Sequence, residues 1–385
     1  MKALHFGAGN IGRGLVGLLL TQSGYDVTFV ARNEKQVALI EREQRYTVVM
    51  AGEQEQTLEV EGVRAIHTRK QKEIEAAIVE ADLITTAVGT SALKHIAESI
   101  AAGITQRLLE HPRPLHIIAC ENAKKGSSLL KKWVYSYFHD DLQELADRYI
   151  AFPNAAIDRI VPNQRHKGDP LKVRVELFYE WIVDRSMMFE DYPQIKGVKY
   201  VDALKPYIER KLFTVNTGHA CAAYFGYLEG YETIQQALAD SGVMARVRGV
   251  LRETGAMLIE KHGFEKRDNE AYAERTLERF ANPGLIDKVV RVGRSPIRKL
   301  GPGDRLVKPA LQAHQYGLSC DRLAEAMAAA LLFDYAEDPE AVKLQQALAD
   351  KGLDGVLSDL LGIAAEHPLH AKIAMAYEEL RAHKA

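Results

Sequence analysis

The chain has 385 residues, 47% hydrophobic and 26% charged, and a formal net charge of −2 at pH 7. This length exceeds one compact core and predicts two domains, and so balanced a charge does not favour nucleic-acid binding. Apolar runs stay shorter than the roughly 18 residues of a membrane span. The three widely spaced cysteines indicate a reducing, cytoplasmic location. We therefore expect neither a membrane nor a nucleic-acid partner.

The first elements are a predicted strand over residues 1–6, a helix over 11–23 and a second strand over 26–31. A Gly-x-Gly-x-x-Gly sequence joins the first strand to the helix, which is the context of a dinucleotide-binding loop. Its glycines permit a tight turn, close approach to a pyrophosphate and close helix packing. The alternative is glycines that serve only the turn. The predicted cofactor-binding residues are Phe6, Gly7, Ala8, Gly9, Asn10, Ile11 and Gly12.

Further strands are predicted over residues 81–89 and 115–120. Because ligands bind at the carboxyl ends of parallel strands, we expect Val88 and Gly89 beside the dinucleotide. Asn122 follows the later strand, and its position favours a site residue over a turn former. Residues 172–184 alternate between apolar and charged side chains and predict one half-buried strand that extends the same sheet.

Beyond about residue 195 the patterns are almost entirely helical. We place the domain boundary near 190, in the segment 187–199 that contains Pro193 and Gly197. The prediction is an α/β protein with a Rossmann-type doubly wound sheet domain over 1–190. A mostly α-helical C-terminal domain over 191–385 follows it.

The helical half opens with a candidate catalytic segment, Glu209-Arg-Lys-Leu-Phe-Thr-Val-Asn-Thr-Gly-His219. At about 100° per residue, Lys211, Asn216 and His219 share an arc of roughly 140° on an ideal helix. A lysine near an amide and an imidazole, away from water, can become a neutral amine. Such an amine can take a proton from an alcohol while neighbouring donors stabilise the oxyanion. On spacing alone, an ordinary helix face is the commoner explanation.

No metal is expected from this sequence. The cysteines form no Cys-x2-Cys pair, and His367-Pro-Leu-His370 has no acidic or cysteine partner nearby. We interpret the two histidines as part of an exposed turn between helices.

Several segments together resemble the polyol-specific long-chain dehydrogenase/reductase family. They are residues 2–14, Ala119-Cys-Glu-Asn122, Asp158-Arg-Ile-Val-Pro162, the segment 209–219 and Arg291-Val-Gly-Arg-Ser-Pro-Ile-Arg-Lys299. The resemblance covers essentially the whole chain, and Lys-x4-Asn-x2-His is specific to the family. It implies a Rossmann domain, a mostly helical second domain and no metal.

The resemblance also implies an activity, namely reversible oxidation of D-mannitol 1-phosphate at C5 to D-fructose 6-phosphate. Lys211 would be the general base and Asn216 an oxyanion donor, with Asn122 as the second amide. His219 would orient the substrate. The expected partner is thus a small polyol or sugar phosphate, bound by a monomer or small homo-oligomer.

A phosphate needs fixed positive charge, which Arg291, Arg294, Arg298 and Lys299 could supply. We prefer Arg291 and Arg294, which lie one helical turn apart if this segment is helical. A solvated basic turn is the alternative for each of these residues. Asp158 either contacts a polyol hydroxyl or pairs with Arg159.

The family indicates NAD as the cofactor, but one position departs from its pattern. The second strand ends in Val30-Ala-Arg-Asn33, where NAD-preferring members usually carry an acidic residue. Arg32 could accept the 2′-phosphate of NADP, which is the alternative cofactor. Otherwise Arg32 is solvated, and Asn33 or Glu34 contacts the ribose.

Competing functions remain at this point. Within the family these are a uronate reductase and a dehydrogenase of unphosphorylated polyols. A 6-phosphogluconate-like dehydrogenase also pairs a lysine with a nearby asparagine. A nucleotide-sensing module without turnover belongs to a different class.

Overall fold

The computed structural model describes residues 1–51, 55–123, 125–161, 168–192, 194–284 and 286–384. Pro162 and Pro193, which belong to segments discussed above, lie outside these residues. The chain divides into two compact units, Met1–Tyr207 and Ile208–Ala385. Each unit is described by itself.

A six-stranded sheet forms the centre of the first unit, in the order β5-β2-β1-β6-β7-β8. Every neighbouring pair in it is parallel. The predicted Rossmann-type sheet is therefore confirmed. The strands of this unit are β1 Lys2–Phe6, β2 Asp26–Ala31, β3 Arg45–Ala51, β4 Gln56–Glu61, β5 Arg64–His67, β6 Leu83–Thr86, β7 Leu115–Ala119, β8 Ile150–Ala151, β9 Ala155–Asp158, β10 Val173–Glu176, β11 Glu180–Asp184 and β12 Val198–Val201.

Helices cover both faces of this sheet. Those of the first unit are α1 Leu18–Gln22, α2 Glu34–Glu43, α3 Gln71–Glu80, α4 Leu93–Glu110, α5 Gly126–Tyr135 and α6 Asp140–Tyr149. Side chains alternate along β1, so that Ala3 enters the core beneath α1 and α2. Leu4 and Phe6 enter the opposite core, beneath α3, α4 and α5. The central strand thus contributes to both cores, as a doubly wound sheet requires.

The first helical segment differs from the α-helix expected over residues 11–23. Gly12–Gly17 is a π-helical turn, and the α-helix Leu18–Gln22 follows it. Carbonyls of this turn accept hydrogen bonds from side chains elsewhere in the unit. Tyr46 Oη donates to the Arg13 carbonyl at 2.8 Å, and Arg159 Nη1 donates to the Gly14 carbonyl at 2.7 Å. Because side chains bond to the carbonyls of Arg13 and Gly14, these carbonyls do not depend on the i→i+4 hydrogen bonds of an α-helix. This arrangement favours the wider π-helical turn.

The prediction of one strand over residues 172–184 is wrong. The segment forms two strands, β10 and β11, in two separate three-stranded sheets. Strand β10 pairs with β3, whereas β11 lies between β9 and β12. Leu177, at the bend between them, is 48% exposed although the alternation assigned it to the buried face. Neither strand extends the six-stranded sheet. The alternation of apolar and charged residues continues across the bend, so periodicity alone did not reveal it.

The described residues of the second unit form helices and no β-strand, apart from an isolated bridge between Thr233 and Lys288, which confirms the prediction of a mostly helical C-terminal domain. Helix α7, Lys205–Arg210, contains the division between the units. The helices that follow are α8 Thr217–Leu228, α9 Ile234–Ala239, α10 Ser241–His262, α11 Lys266–Ala281, α12 Val289–Gly293, α13 Pro296–Lys299, α14 Val307–Gln315, α15 Asp321–Leu331, α16 Pro339–Asp359 and α17 Pro368–Lys384. Helix α8 is buried along most of its length and packs against α9, α10, α12 and α15.

Candidate active site

The glycine loop after β1 has a shape that only glycine permits at two positions. Gly7 has a φ of +111°, and a Cβ there would lie 2.4 Å from the Ala87 carbonyl oxygen. A Cβ on Gly12 would lie 1.9 Å from the Gly7 carbonyl oxygen. Gly9 is exposed and has no neighbour within 4 Å of its Cβ position. The loop therefore leaves backbone open at Gly9, as close approach of a pyrophosphate needs.

Two side chains hold this loop from within the unit. The Ala8 carbonyl accepts from Arg13 Nε at 2.9 Å and from Gln36 Nε2 at 3.1 Å. Arg13 is 4% exposed and donates also to the Leu171 carbonyl. Burial lowers the pKa of its guanidinium. The role of Arg13 is not visible in the sequence, because its contacts depend on the folded loop.

A buried carboxylate shapes the backbone after β6. Glu121 accepts from Thr86 Oγ1 at 2.8 Å, from the Val88 amide at 3.0 Å and from the Gly89 amide at 2.8 Å. Gly89 has a φ of +91°. Asn122, which the sequence analysis preferred, lies next to Glu121 and is exposed. The residue that fixes Val88 and Gly89 is thus the acidic neighbour, which we had not singled out.

At the end of β2, the acidic and amide groups near Arg32 are already engaged. Asn33 caps α2 and accepts from the Gln36 amide at 3.1 Å. Glu34 accepts from Arg69 Nη1 at 2.7 Å. Arg32 is exposed, and its guanidinium has no hydrogen-bond or ion-pair partner among the described residues. Its charge is therefore available at the strand end.

Asp158 ends β9 and is 6% exposed. Its neighbour Arg159 directs guanidinium donors to main-chain carbonyls, namely those of Glu176 and Gly14. Arg159 also lies over the Tyr179 ring, 5.5 Å from the centroid. The arginine thus fixes the backbone around Asp158.

In the second unit, the segment with Lys211, Asn216 and His219 begins with a π-helical turn. Lys211–Asn216 forms that turn, and α8 continues from Thr217. The arc of roughly 140° assumed α-helical geometry and does not apply across an i→i+5 turn. Thr217 Oγ1 lies 3.0 Å from the Leu212 carbonyl oxygen, five residues earlier.

Exposure separates the polar residues of this segment from those around them. Lys211, Asn216 and His219 are all half-buried. Most of the residues between them are buried, namely Phe213, Thr214, Val215, Thr217 and Gly218, whereas Leu212 is half-buried as well. The three side chains on which we based the catalytic prediction thus remain partly accessible beside a buried stretch. π-Helical turns are frequent at functional sites.

A buried charge cluster holds the start of this segment. The Glu209 carboxylate lies 2.7 Å from Lys261 Nζ, 2.7 Å from His262 Nε2 and 3.1 Å from Lys308 Nζ. Burial works against the charged form, but these hydrogen bonds outweigh it and lower the pKa of Glu209 to about 2. The last turn of α7 is thereby tied to α10 and α14, two residues before Lys211.

His219 is fixed by an aromatic ring and a carboxylate. Its imidazole stacks on Phe280 with centroids 4.6 Å apart and an interplanar angle of 14°. Its Nε2 lies 3.4 Å from Asp287 Oδ2. Arg291 also engages Asp287 through two donors, with Nε 2.5 Å from Oδ1 and Nη2 on Oδ2. Burial alone would raise the pKa of Asp287, but the contacts with His219 and Arg291 lower it overall.

The four cations over residues 291–299 have different surroundings. Arg291 lies in the last turn of α12, Arg294 is the C-cap residue that follows it, and the chain leaves the helix at Ser295, which has a φ of +59°. Lys299 is 3% exposed and donates to the Val292 and Arg294 carbonyls. Burial and repulsion by Arg305 and Arg298 lower its pKa to about 7. Lys299 is thus a core residue and not a surface cation.

Arg291, Arg294 and Arg298 are all exposed, and Arg294 and Arg298 differ from Arg291 in their partners. The guanidiniums of Arg294 and Arg298 have no hydrogen-bond or ion-pair partner in the described parts of the chain. Arg291 is compensated by Asp287. Of the two arginines that we preferred for phosphate, Arg294 is therefore the one with uncompensated charge.

Across the described residues, no group of three or more His, Cys, Asp or Glu side chains is placed to hold a metal ion. His370 is 7% exposed, so the turn that we interpreted as exposed is partly buried. His367 packs edge-on against His314, with centroids 4.7 Å apart. No helix in the described ranges is long and apolar enough to cross a membrane.

An all-parallel sheet with a glycine loop after its central strand, followed by a helical unit, defines a Rossmann-type protein of two domains. Two family models match it: the mannitol dehydrogenase Rossmann domain over residues 1–197 and the mannitol dehydrogenase C-terminal domain over residues 203–381. The chain belongs to the mannitol dehydrogenase family.

Curated relatives cover nearly the whole chain. Mannitol-1-phosphate 5-dehydrogenase of Brevibacillus brevis is 50% identical over 369 residues, which are 96% of this chain and 95% of that protein. The enzyme of the same name from Bacillus subtilis is 48% identical over 374 residues, 97% of this chain and 98% of its own. That of Geobacillus thermodenitrificans is 46% identical and covers 99% of both chains.

Two solved structures share the fold. A D-sorbitol dehydrogenase in substrate-free form has a TM-score of 0.85 at 16% identity, covering 98% of this chain and 93% of that chain. Mannitol 2-dehydrogenase of Pseudomonas fluorescens, in a ternary complex with NAD and D-mannitol, has a TM-score of 0.74 at 18% identity. It covers 99% of this chain and 92% of its own.

Proposed function

We propose that this protein is a mannitol-1-phosphate 5-dehydrogenase, which interconverts D-mannitol 1-phosphate and D-fructose 6-phosphate with a nicotinamide cofactor. The observation that carries the proposal is identity of 45–50% to enzymes of that name over nearly the full length. Lys211, Asn216 and His219, which are all partly accessible, support it chemically.

Lys211 is the proposed general base and removes the proton of the C5 hydroxyl. Asn216 donates a hydrogen bond to the oxygen as negative charge develops there, and Asn122 is the proposed second amide donor. Donors that are already in place stabilise such charge at little reorganisation cost. His219 orients the substrate, and Asp158 is proposed to contact a polyol hydroxyl.

NAD is the proposed cofactor, and the residues present fit it. The open backbone at Gly9 suits the pyrophosphate, and the loop from Phe6 to Gly12 surrounds that position. Val88 and Gly89, shaped by Glu121, are the proposed contacts on the neighbouring strand end. A nicotinamide held there would supply the acceptor for the hydride that leaves C5. Arg32 adds a charge at the ribose end that can accept the 2′-phosphate of NADP, the alternative cofactor.

Arg294 is the proposed phosphate contact. An exposed guanidinium without a protein partner can bind a phosphate bidentately, whereas Arg291 already engages Asp287 in that way. Arg291 thus acts beside His219 rather than at the phosphate. Of the four cations that the sequence suggested for the phosphate, this proposal retains only Arg294 and Arg298.

We also propose a cytoplasmic location and a monomer or small homo-oligomer. All three cysteines are free thiols, and each is buried, which fits a reducing compartment.

The proposal is tested by a substrate panel, with both NAD and NADP, that follows the absorbance of reduced nicotinamide. Mannitol 1-phosphate should be oxidised with a kcat/KM far above that of mannitol. Arg294→Ala should raise KM for the phosphate ester and leave the weak activity on mannitol unchanged. Preference for an unphosphorylated polyol or a uronate would support the other members of the family. Carbon dioxide release would indicate a decarboxylating dehydrogenase, and absence of turnover a nucleotide-sensing module.

A further inference from the structure

The carboxylate of Asp287 joins His219, which the proposed function places at the substrate, to Arg291 beside it. Asp287 lies just before α12 and is 7% exposed. His219 Nε2 lies 3.4 Å from Oδ2, and Arg291 Nε lies 2.5 Å from Oδ1. Nothing in the segments that resemble the family pointed to this residue, because it lies outside all of them.

The backbone at Asp287 is also held firmly. Its carbonyl accepts from the Ile234 amide at 2.9 Å, and its amide donates to Gln235 Oε1 at 3.3 Å. The carboxylate is therefore carried by a backbone that is bonded on both sides to α9. A group held in this way can orient the side chains that contact it.

We propose that Asp287 is a positioning residue that fixes the orientation and tautomer of His219 and holds Arg291 beside it. This inference rests on the proposed function, in which His219 orients the polyol.

The tautomer follows from which ring nitrogen faces the carboxylate. An anionic oxygen beside Nε2 favours the proton on Nε2, because a carboxylate only accepts hydrogen bonds. Nδ1 is then the nitrogen with a lone pair, available to accept a hydrogen bond from a substrate hydroxyl. Stacking on Phe280 limits rotation of the ring, so the imidazole keeps this nitrogen in one place.

Arg291 gives the second reason for a positioning role. Among the described residues, the side chains that face Asp287 are the imidazole of His219 and the guanidinium of Arg291. Its guanidinium satisfies the carboxylate from one side and leaves Oδ2 shared with the imidazole. The carboxylate therefore stays charged and in place whether or not a substrate is bound.

The test combines Asp287→Asn, His219→Gln and the double variant in a double-mutant cycle. Asp287→Asn keeps the side-chain volume and should lower kcat/KM for mannitol 1-phosphate by about tenfold or more, within the coupling expected for residues in contact. Most of the loss should appear in KM for the polyol, with cofactor binding unchanged. In the His219→Gln background the same change should cost less than about threefold, because the residue through which it acts is gone.

Glu274→Gln is the matched control. It removes a carboxylate that pairs with two donors of Arg248, at 2.9 and 3.0 Å, elsewhere in the same unit. This variant should keep wild-type kinetics. Two results would overturn the inference. One is that Asp287→Asn lowers kcat/KM by the same factor in the wild type and in the His219→Gln variant. The other is that kcat/KM of Asp287→Asn stays within twofold of wild type.

A substrate-free measurement separates this inference from the proposed function. Imidazole ¹⁵N shifts of histidine-labelled protein, assigned with His219→Gln, should show the proton of His219 on Nε2, and a mixture of tautomers in Asp287→Ala. A mixture already in the wild type would overturn the inference. A wild type that lacks turnover of mannitol 1-phosphate but shows the single tautomer would refute the proposed function alone.

Discussion

Replacement of Glu209 by glutamine tests how the segment that leads into Lys211 is held. The side chain of Glu209 is only 6% exposed, and Lys261, His262 and Lys308 surround it. A pKa lowered from 4.5 to about 2 corresponds to about 3 kcal/mol of folding free energy at neutral pH. Glu209→Gln should therefore lower the free energy of unfolding by about that amount at pH 7, and the melting temperature by roughly 6 to 12 °C.

The dependence on pH has a definite sign. A carboxylate with a lower pKa in the folded state stabilises the protein fully above its unfolded pKa of 4.5, and loses that contribution as the pH falls towards about 2. Between pH 7 and pH 3, the difference between wild type and variant should shrink from about 3 to about 1.5 kcal/mol.

Urea denaturation of both proteins over this pH range measures the difference. Glu274→Gln, which removes a carboxylate from an exposed pair with Arg248, is the control and should cost less than about 1 kcal/mol. A difference of under about 0.5 kcal/mol at pH 7 would refute the reasoning, since a buried carboxylate paired with two lysines and a histidine cannot then be what holds this segment. So would a loss that stays constant with pH.

Three further predictions concern the chemistry. Lys211→Ala should lower kcat by roughly 10²- to 10⁴-fold with cofactor affinity retained, and an unchanged pH–rate profile would exclude a base at that position. Glu121→Gln replaces a carboxylate that accepts three hydrogen bonds by an amide, one end of which can only donate. The Kd of NAD in a fluorescence titration should therefore rise about tenfold, and an unaltered Kd would contradict this role of Glu121. Ala31→Asp with Arg32→Val should lower the ratio of kcat/KM for NADP over NAD, whereas a constant ratio would mean that Arg32 stays in solvent.

The first half of the fold could be predicted because its signals are local. Strand β2 matches the prediction at both ends, and the glycines of the loop, Gly7, Gly9 and Gly12, lie close together in the sequence. The π-helical turn that follows could not be predicted, because it depends on Tyr46 and Arg159, which lie 33 and 145 residues from the carbonyls that they bind. The bend at Leu177 could not be predicted for a similar reason, since β10 and β11 pair with strands from other segments of the chain.

The candidate site shows the same division between local and distant information. Lys211, Asn216 and His219 form a recognisable sequence pattern, and their shared accessibility agrees with the expectation that drew attention to them. Glu121 and Asp287 were missed, because a carboxylate that shapes a loop or an imidazole carries no pattern of its own. An acidic residue directly after a buried strand was the available signal for Glu121, and we passed over it in favour of Asn122.

Counting charges in a segment overestimates what it can offer a phosphate. Residues 291–299 contain four cations, yet the chain itself uses two of them: Asp287 neutralises Arg291, and Lys299 is buried against carbonyls. Charge that is already compensated gives little extra attraction to a ligand, and a buried ammonium is costly to keep charged. The affinity for a phosphate ester should therefore depend on Arg294 and Arg298. A relative that kept both but lacked Asp287 would still bind the phosphate, while its imidazole would lose the group that orients it.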